Sequence, residues 1–181
     1  MLTRSEWEAA QERALEYLDR AGVVMTAQER KQIEISDFGL SNLETFGVQT
    51  LTYFNTDRLC AKEIVLFPFQ ICPEHWHPRV GADPGKEETM RIRWGLVYLY
   101  IPGAGIDPLV KERIAHRKEY FSVGKEIVLR PGDQITLEPG TVHWFQAGPE
   151  GAVIDDYSST SRDVLDQFAD PDIVRTTQIV D

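Results

Sequence analysis

Apolar residues recur at helical spacing only near the start of the chain. Trp7, Ala10, Ala14, Leu15 and Leu18 share a face behind Thr3 and Glu6, which form a capping box, and Gly22 stops the run. A second box, Thr26 to Glu29, predicts a shorter helix reaching about Ile33. Gly39, Ser41, Asn42 and Gly47 then punctuate a loop-rich passage. From Val48 the pattern becomes one of short runs and alternation: VQTLTYF, IVLFPFQI, MRIRWGLVYLYI, EYFSV, EIVLR, DQITL, VHWFQA and AVIDDYS, separated by Gly, Pro and Asp. Such spacing predicts an all-β sandwich or barrel behind a short N-terminal helical segment. The expected organisation is a single domain over 1–181, with a helical arm over 1–40, a barrel over 48–158 and a tail over 159–181. The tail either wraps the barrel or reaches a partner subunit, and Arg162 and Asp163 in it read as an ordinary ion pair.

Composition narrows the class. With 181 residues, 42% of them hydrophobic, the chain can bury a core without staples. A formal net charge of −10, with no run of Lys or Arg, argues against nucleic acid and anionic membrane as partners. Cys60 and Cys72 form no CxxC pair, the N-terminus lacks the apolar stretch of a signal peptide, and no segment reaches spanning length, so a cytoplasmic protein is expected.

The candidate chemistry lies in histidines. Of the four in the chain, His75 and His77 stand at i and i+2, on one face of a strand, and can grip a single ion. His143 follows the turn signals Pro131-Gly132 and Pro139-Gly140, so a hairpin can bring it opposite that pair. A carboxylate from Glu87 or Glu88 would complete the set, and only one of these neighbours can face inward. Imidazole and carboxylate suit Mn²⁺, Fe²⁺, Co²⁺, Ni²⁺ or Zn²⁺. His116, within KERIAHRKEY, reads as a packed or solvated side chain.

These residues resemble the two cupin motifs, G-x5-H-x-H-x3,4-E-x6-G and G-x5-P-x-G-x2-H-x3-N. His75-Trp76-His77 supplies H-x-H, and Glu88 with Gly95 supplies E-x6-G, whereas Glu87 misses that glycine by one. Gly132, Gly140 and His143 fit the second motif. The spacing from His77 to Glu88 is expanded, Phe69 stands in place of the leading glycine, and Glu138 and Ala147 stand where proline and asparagine are usual. The longer segments EHWHPRVGADPGKEETMRIRWG and VIDDYSSTSRDVLDQFADP resemble the cupin-type D-lyxose isomerases, over roughly residues 45 to 173. The resemblance implies a small antiparallel jelly-roll barrel with Mn²⁺ on His75, His77, Glu88 and His143. It further implies Lys86 beside a small sugar substrate, and Asp156 where the family usually carries glutamate.

On that reading Lys86 and Asp156 are the acid/base pair of an aldose-ketose isomerisation between D-lyxose and D-xylulose, with D-mannose and D-fructose as a second pair. Fold analogy suggests a homodimer. Two other activities use the same ligand set: a non-haem iron cupin dioxygenase, and a non-catalytic cupin that binds a small ligand.

Overall fold

A computed structural model describes residues 1–103, 105–108, 110, 114 and 117–181; His116 lies outside the described residues. The opening helix α1 (Arg4–Arg20) forms as its pattern predicts, with Glu6 N donating to Thr3 Oγ1 at 3.2 Å and Thr3 N donating to Glu6 Oε2 at 2.8 Å. Its buried face, Ala10, Ala14, Tyr17 and Leu18, packs on Val65, Phe67 and Val153. The second capping box also closes, but only a 3-10 turn at Glu29–Lys31 follows. Glu-Arg-Lys offers no apolar stripe to bury, and a short helix without packing does not propagate.

The strands are β1 (Leu2–Thr3), β2 (Glu34–Ser36), β3 (Val48–Asn55), β4 (Cys60–Leu66), β5 (Ile71–Trp76), β6 (Glu88–Ile101), β7 (Lys125–Leu129), β8 (Gln134–Leu137), β9 (His143–Ser158), β10 (Gln167–Phe168) and β11 (Ile179–Val180). The main sheet runs β10-β5-β9-β4-β3-β2, and β6 pairs with β9, β8 and β7, all antiparallel. Thus β2 and β10 extend the sheet beyond the 48–158 segment. VHWFQA and AVIDDYS are one strand, because β6 pairs with β9 on both sides of the Gly148–Gly151 stretch that reads as a turn. EYFSV is not a strand. Its backbone N–H groups at Ser122 and Val123 donate to the Glu74 carboxylate at 2.7 and 3.0 Å instead of to a neighbouring strand.

The β6–β9 ribbon curls back on itself. Glu88 pairs with Ser158 at one end and Tyr100 with Trp144 at the other, and a flat strand would separate residues 143 and 158 by about 50 Å. Yet His143 Nε2 lies 3.6 Å from Glu88 Oε2. The register shifts between Ile92 and Trp94 and between Gly95 and Val97 mark the corner. Gly95 sits there at φ +80°, where a Cβ would come within 2.1 Å of the Gly151 carbonyl oxygen. The glycine that ends E-x6-G is therefore the bend that closes the barrel.

Alternation then sorts the faces. Ile64, Met90, Ile92, Ala152 and Ile154 fill the interior, while Val65 and Val153 lie under α1. The tail wraps the barrel: β10 pairs with β5, Val174 N donates to Phe38 O at 2.9 Å, Thr177 Oγ1 donates to Asp37 Oδ1 at 2.7 Å, and β11 lies parallel to β1. Arg162 pairs with Asp83 at 2.9 Å, not with Asp163, which turns inward.

On the outer face the Cα partners Glu63 and Asp155 sit side by side. Arg93 Nε donates to Asp155 at 2.5 Å and Tyr53 donates to Glu63 at 3.0 Å. Burial, then the Asp155 charge, pushes the Glu63 carboxyl up from 4.5 to about 8. The folded protein therefore binds this proton more tightly than the unfolded chain. Glu63's contribution to stability is complete below its ordinary pKa and is lost as pH rises through about 8. We expect thermal melts between pH 5 and 9 to show a decline that Glu63→Gln flattens; parallel curves for the two proteins would contradict the assignment.

Candidate active site

β5 carries His75, and His77 follows just beyond its end. β9 opens with His143 as the Cα partner of His75, so strand pairing brings the third histidine to the pair. The three are 5%, 4% and 0% exposed, and their ligand nitrogens lie within 4.8 Å of one another. Each Nδ1 faces an acceptor and donates to it: His75 to the Pro73 carbonyl at 2.8 Å, His143 to the Thr141 carbonyl at 2.9 Å, and His77 to Asp166 Oδ1 at 2.7 Å. That turns every Nε2 toward the centre; burial opposes a charge on His77, but Glu88 and Asp166 beside it raise its pKa to about 9.

Of the two candidate carboxylates, Glu88 begins β6 and points into the barrel, while Glu87 is exposed. Glu88 Oε2 lies 3.3 Å from His77 Nε2 and 3.6 Å from His143 Nε2. Its other oxygen accepts from Lys86 Nζ at 2.5 Å. Burial disfavours the Glu88 charge, but Lys86 and His77 outweigh it and hold its pKa well below the usual carboxylate range. The loop before Lys86 is pinned at Gly85, whose φ is +110° and whose Cβ would meet the His77 carbonyl oxygen at 2.5 Å. Burial disfavours the Lys86 ammonium too, yet Glu88, Asp156 and Asp163 keep it protonated well above the ordinary lysine range.

Asp156 projects inward near the end of β9, whereas Asp155 projects outward; of the adjacent pair, the structure brings Asp156 to the site. It is fully buried, and neither of its carboxylate oxygens has a hydrogen-bond partner among the described residues. Burial, reinforced by the Glu88 charge, pushes its pKa up to about 7. A carboxylate poised there can accept and return a proton near neutral pH.

Three further residues reach the site, of which only Asp163 is read from the sequence, as the ion-pair partner of Arg162. Lys62 enters from β4, as the Cα partner of Asp156, and Asp163 and Asp166 enter from the tail. Lys62 Nζ donates to Asp163 Oδ2 at 2.8 Å. Its signal was present: Lys62 shares the inward face with Cys60, Ile64 and Leu66, and a lysine in that series is out of place in a core.

The His143 Nε2, buried and without a hydrogen-bond partner among the described residues, tests whether these residues fit a metal. An imidazole nitrogen left without a partner beside two more imidazoles and a carboxylate is costly in a buried site, and a divalent ion satisfies all four at once. The donor set fits.

The family profile for D-lyxose isomerase matches residues 107–181. The D-lyxose ketol-isomerase of Cohnella laeviribosi is 51% identical over 171 residues, covering 94% of each chain. The D-lyxose ketol-isomerase of Thermofilum sp. is 51% identical over 181 residues, covering 99% of this chain and all of its own. This chain belongs to the D-lyxose isomerase family. The D-lyxose/D-mannose isomerase of Thermosediminibacter oceani is 49% identical over the full length of both chains. The fold matches Cellulomonas parahominis L-ribose isomerase, with TM-score 0.76, 14% identity and coverage of 99% of this chain and 98% of the other. A curled, cupin-like antiparallel sheet is thus shared with a sugar isomerase of very different sequence.

Within this family member, Asp166 is the carboxylate that faces the Nδ1 of a site histidine. Its Oδ1 accepts the hydrogen bond from His77 Nδ1, and at 10% side-chain exposure the bond is shielded from water. We expect Asp166→Asn to weaken divalent-metal affinity by about 10- to 100-fold without unfolding the barrel. Chelator competition measures it, and unchanged affinity would show that His77 is oriented by β5 alone.

Proposed function

We propose that this sugar isomerase interconverts D-lyxose and D-xylulose, and D-mannose and D-fructose as a second pair, by proton transfer through an enediol. The observation that carries the reading is the pairing of a three-histidine, one-carboxylate cluster with two buried groups of opposite function, the Lys86 ammonium and the Asp156 carboxylate, which has no hydrogen-bond partner among the described residues. The sugar class comes from the relatives, whose names specify D-lyxose and D-mannose. His75, His77, Glu88 and His143 would hold the divalent ion, Mn²⁺ before the others. When bound, the ion polarises the sugar oxygens at C1 and C2 and offsets the negative charge that grows there.

The chain's own residues do the rest. Asp156 takes the proton from C2 and returns it to C1, so the carbon-bound hydrogen moves without net change at the carboxylate. Lys86 supplies a proton at O1 and receives one from O2 as the carbonyl shifts from C1 to C2. Glu88 keeps Lys86 charged and in place. The apolar walls, including Phe38, Phe145 and Phe168, exclude water from the enediol. The protein acts in this reading as a cytoplasmic homodimer of single-domain chains. Among the described residues no helix is long and apolar enough to cross a membrane.

The test uses metal-free protein resupplied with Mn²⁺ under anaerobic conditions and follows D-xylulose formation from D-lyxose. Ketose that requires both Mn²⁺ and an intact His77, lost in His77→Ala, supports the proposal. No ketose from lyxose or mannose with metal bound would defeat it.

A further inference from the structure

The reaction described above leaves one partly buried carboxylate of the site, its side chain 25% exposed, without a task. Asp163, in the 3-10 turn Asp163–Leu165, stands between two lysines: its Oδ2 accepts from Lys62 Nζ at 2.8 Å, and its Oδ1 lies 3.6 Å from Lys86 Nζ. Ser161 Oγ donates to Oδ1, and Arg175 Nη2 lies 3.7 Å from Oδ2. Lys62 also donates to Ser161 Oγ at 3.2 Å.

Lys62 has a second carboxylate within reach. Its Nζ lies 3.9 Å from Asp156 Oδ2, close enough to attract and too far to hydrogen-bond. Lys62 is 4% exposed and Asp156 is 0% exposed, so the contact is poorly screened. Two buried ions of opposite sign at this separation would close on each other unless something held one of them back. Asp163 is the group that does so, and it is fixed in turn by Ser161 and Arg175.

We propose that Asp163 is a positioning residue: by tethering Lys62, it keeps the ammonium off Asp156 and leaves both oxygens of that carboxylate without a hydrogen bond that would hold them from the proton they transfer. This rests on the assignment of Asp156 as the proton carrier. Without the tether, Lys62 swings onto Asp156, and the base is locked in an ion pair that must break before each turnover. The C-terminal tail is in that sense part of the catalytic machinery, acting through Lys62.

The test compares wild type, Asp156→Asn, Asp163→Asn, Asp163→Glu and the double variant Lys62→Met/Asp163→Asn, all loaded with Mn²⁺ and assayed on D-lyxose. Asp163→Asn should lose about 10- to 100-fold in kcat with KM and bound metal little changed, a pattern that follows from a trapped base and not from a damaged pocket. Asp163→Glu keeps the tether and most of the rate. The double variant removes the stray cation with its counter-ion and should recover about tenfold over the single one, a non-additivity expected only of coupled residues. A crystal structure of Asp163→Asn should show Lys62 Nζ in hydrogen-bond contact with Asp156. Wild-type kcat in Asp163→Asn, or a double variant no faster than the single, overturns the proposal. If Asp163→Asn does not fold, the double variant, which leaves no unpaired buried charge, decides alone: a folded but inactive protein refutes the tether. Should Asp156→Asn retain full turnover, the assignment of Asp156 fails separately, and the position of Lys62 in the Asp163→Asn crystal still settles whether the tether exists.

Discussion

Replacing His143 with alanine is expected to empty the centre of its divalent ion and to reduce isomerisation by at least about 10³-fold, the loss that follows when several kcal/mol of charge stabilisation disappear. The other three residues of the proposed ligand set come from β5, the residue just beyond it and β6, and His143 would close the set from β9. It is also the most deeply buried, at 0% exposure, so water is poorly placed to substitute. The fold should survive. His75 and His143 are joined by the backbone pairing of their strands, and the interior cluster of Ile64, Met90, Ile92, Leu99 and Ile154 does not depend on the imidazole. Metal content per chain, read by elemental analysis beside circular dichroism and rate, checks the three parts together. A folded variant that retains a full equivalent of metal would remove His143 from the ligand set.

The part of the site that was legible in the sequence is the part governed by strand periodicity. His75 and His77 share a face because they are two apart; alternation allows only one of Glu87 and Glu88 to face inward, and the E-x6-G spacing selects Glu88, which is buried while Glu87 is exposed. Gly95 was readable as a motif glycine, and the structure supplies the cause, a corner that tolerates no Cβ. What was illegible arrives from far along the chain. Asp166 reaches His77 because β10, only two residues long, pairs with β5, and two residues carry no periodic signal. Asp163 was read as the partner of its neighbour Arg162, since sequence adjacency is the only proximity a sequence displays; the tail's path sends Arg162 to Asp83 and Asp163 to Lys62. The strand errors have a similar origin. Phe121 and Val123 are buried as a strand pattern suggests, but the Glu74 carboxylate takes the adjacent amides, and nothing local to EYFSV announces that.

Asp156→Asn tests the chemistry apart from the metal. The substitution keeps the size of the side chain and removes its ability to accept and return a proton, so kcat should fall by about 10²- to 10⁴-fold, the usual worth of a general base, while metal content stays at one equivalent. Its effect on stability should run the other way. A fully buried carboxylate without a hydrogen-bond partner is an expensive group to fold around, as its pKa of about 7 records, and a neutral amide relieves part of that cost. The same shift sets a pH signature in the wild type. Asp156 holds its proton in the folded chain through the range where the unfolded chain has already released it, so its contribution to stability is complete below its ordinary value of 3.8 and is lost as pH rises through about 7. The variant should therefore melt higher than wild type above pH 7 and close to it at pH 4. A group that is costly to the fold and removable without losing the metal is what a catalytic base looks like, and a structural aspartate gives the opposite pattern: its loss would lower the melting temperature and leave the rate of the surviving folded enzyme intact. An Asp156→Asn protein that is less stable yet fully active would assign the proton transfer to another group in the barrel.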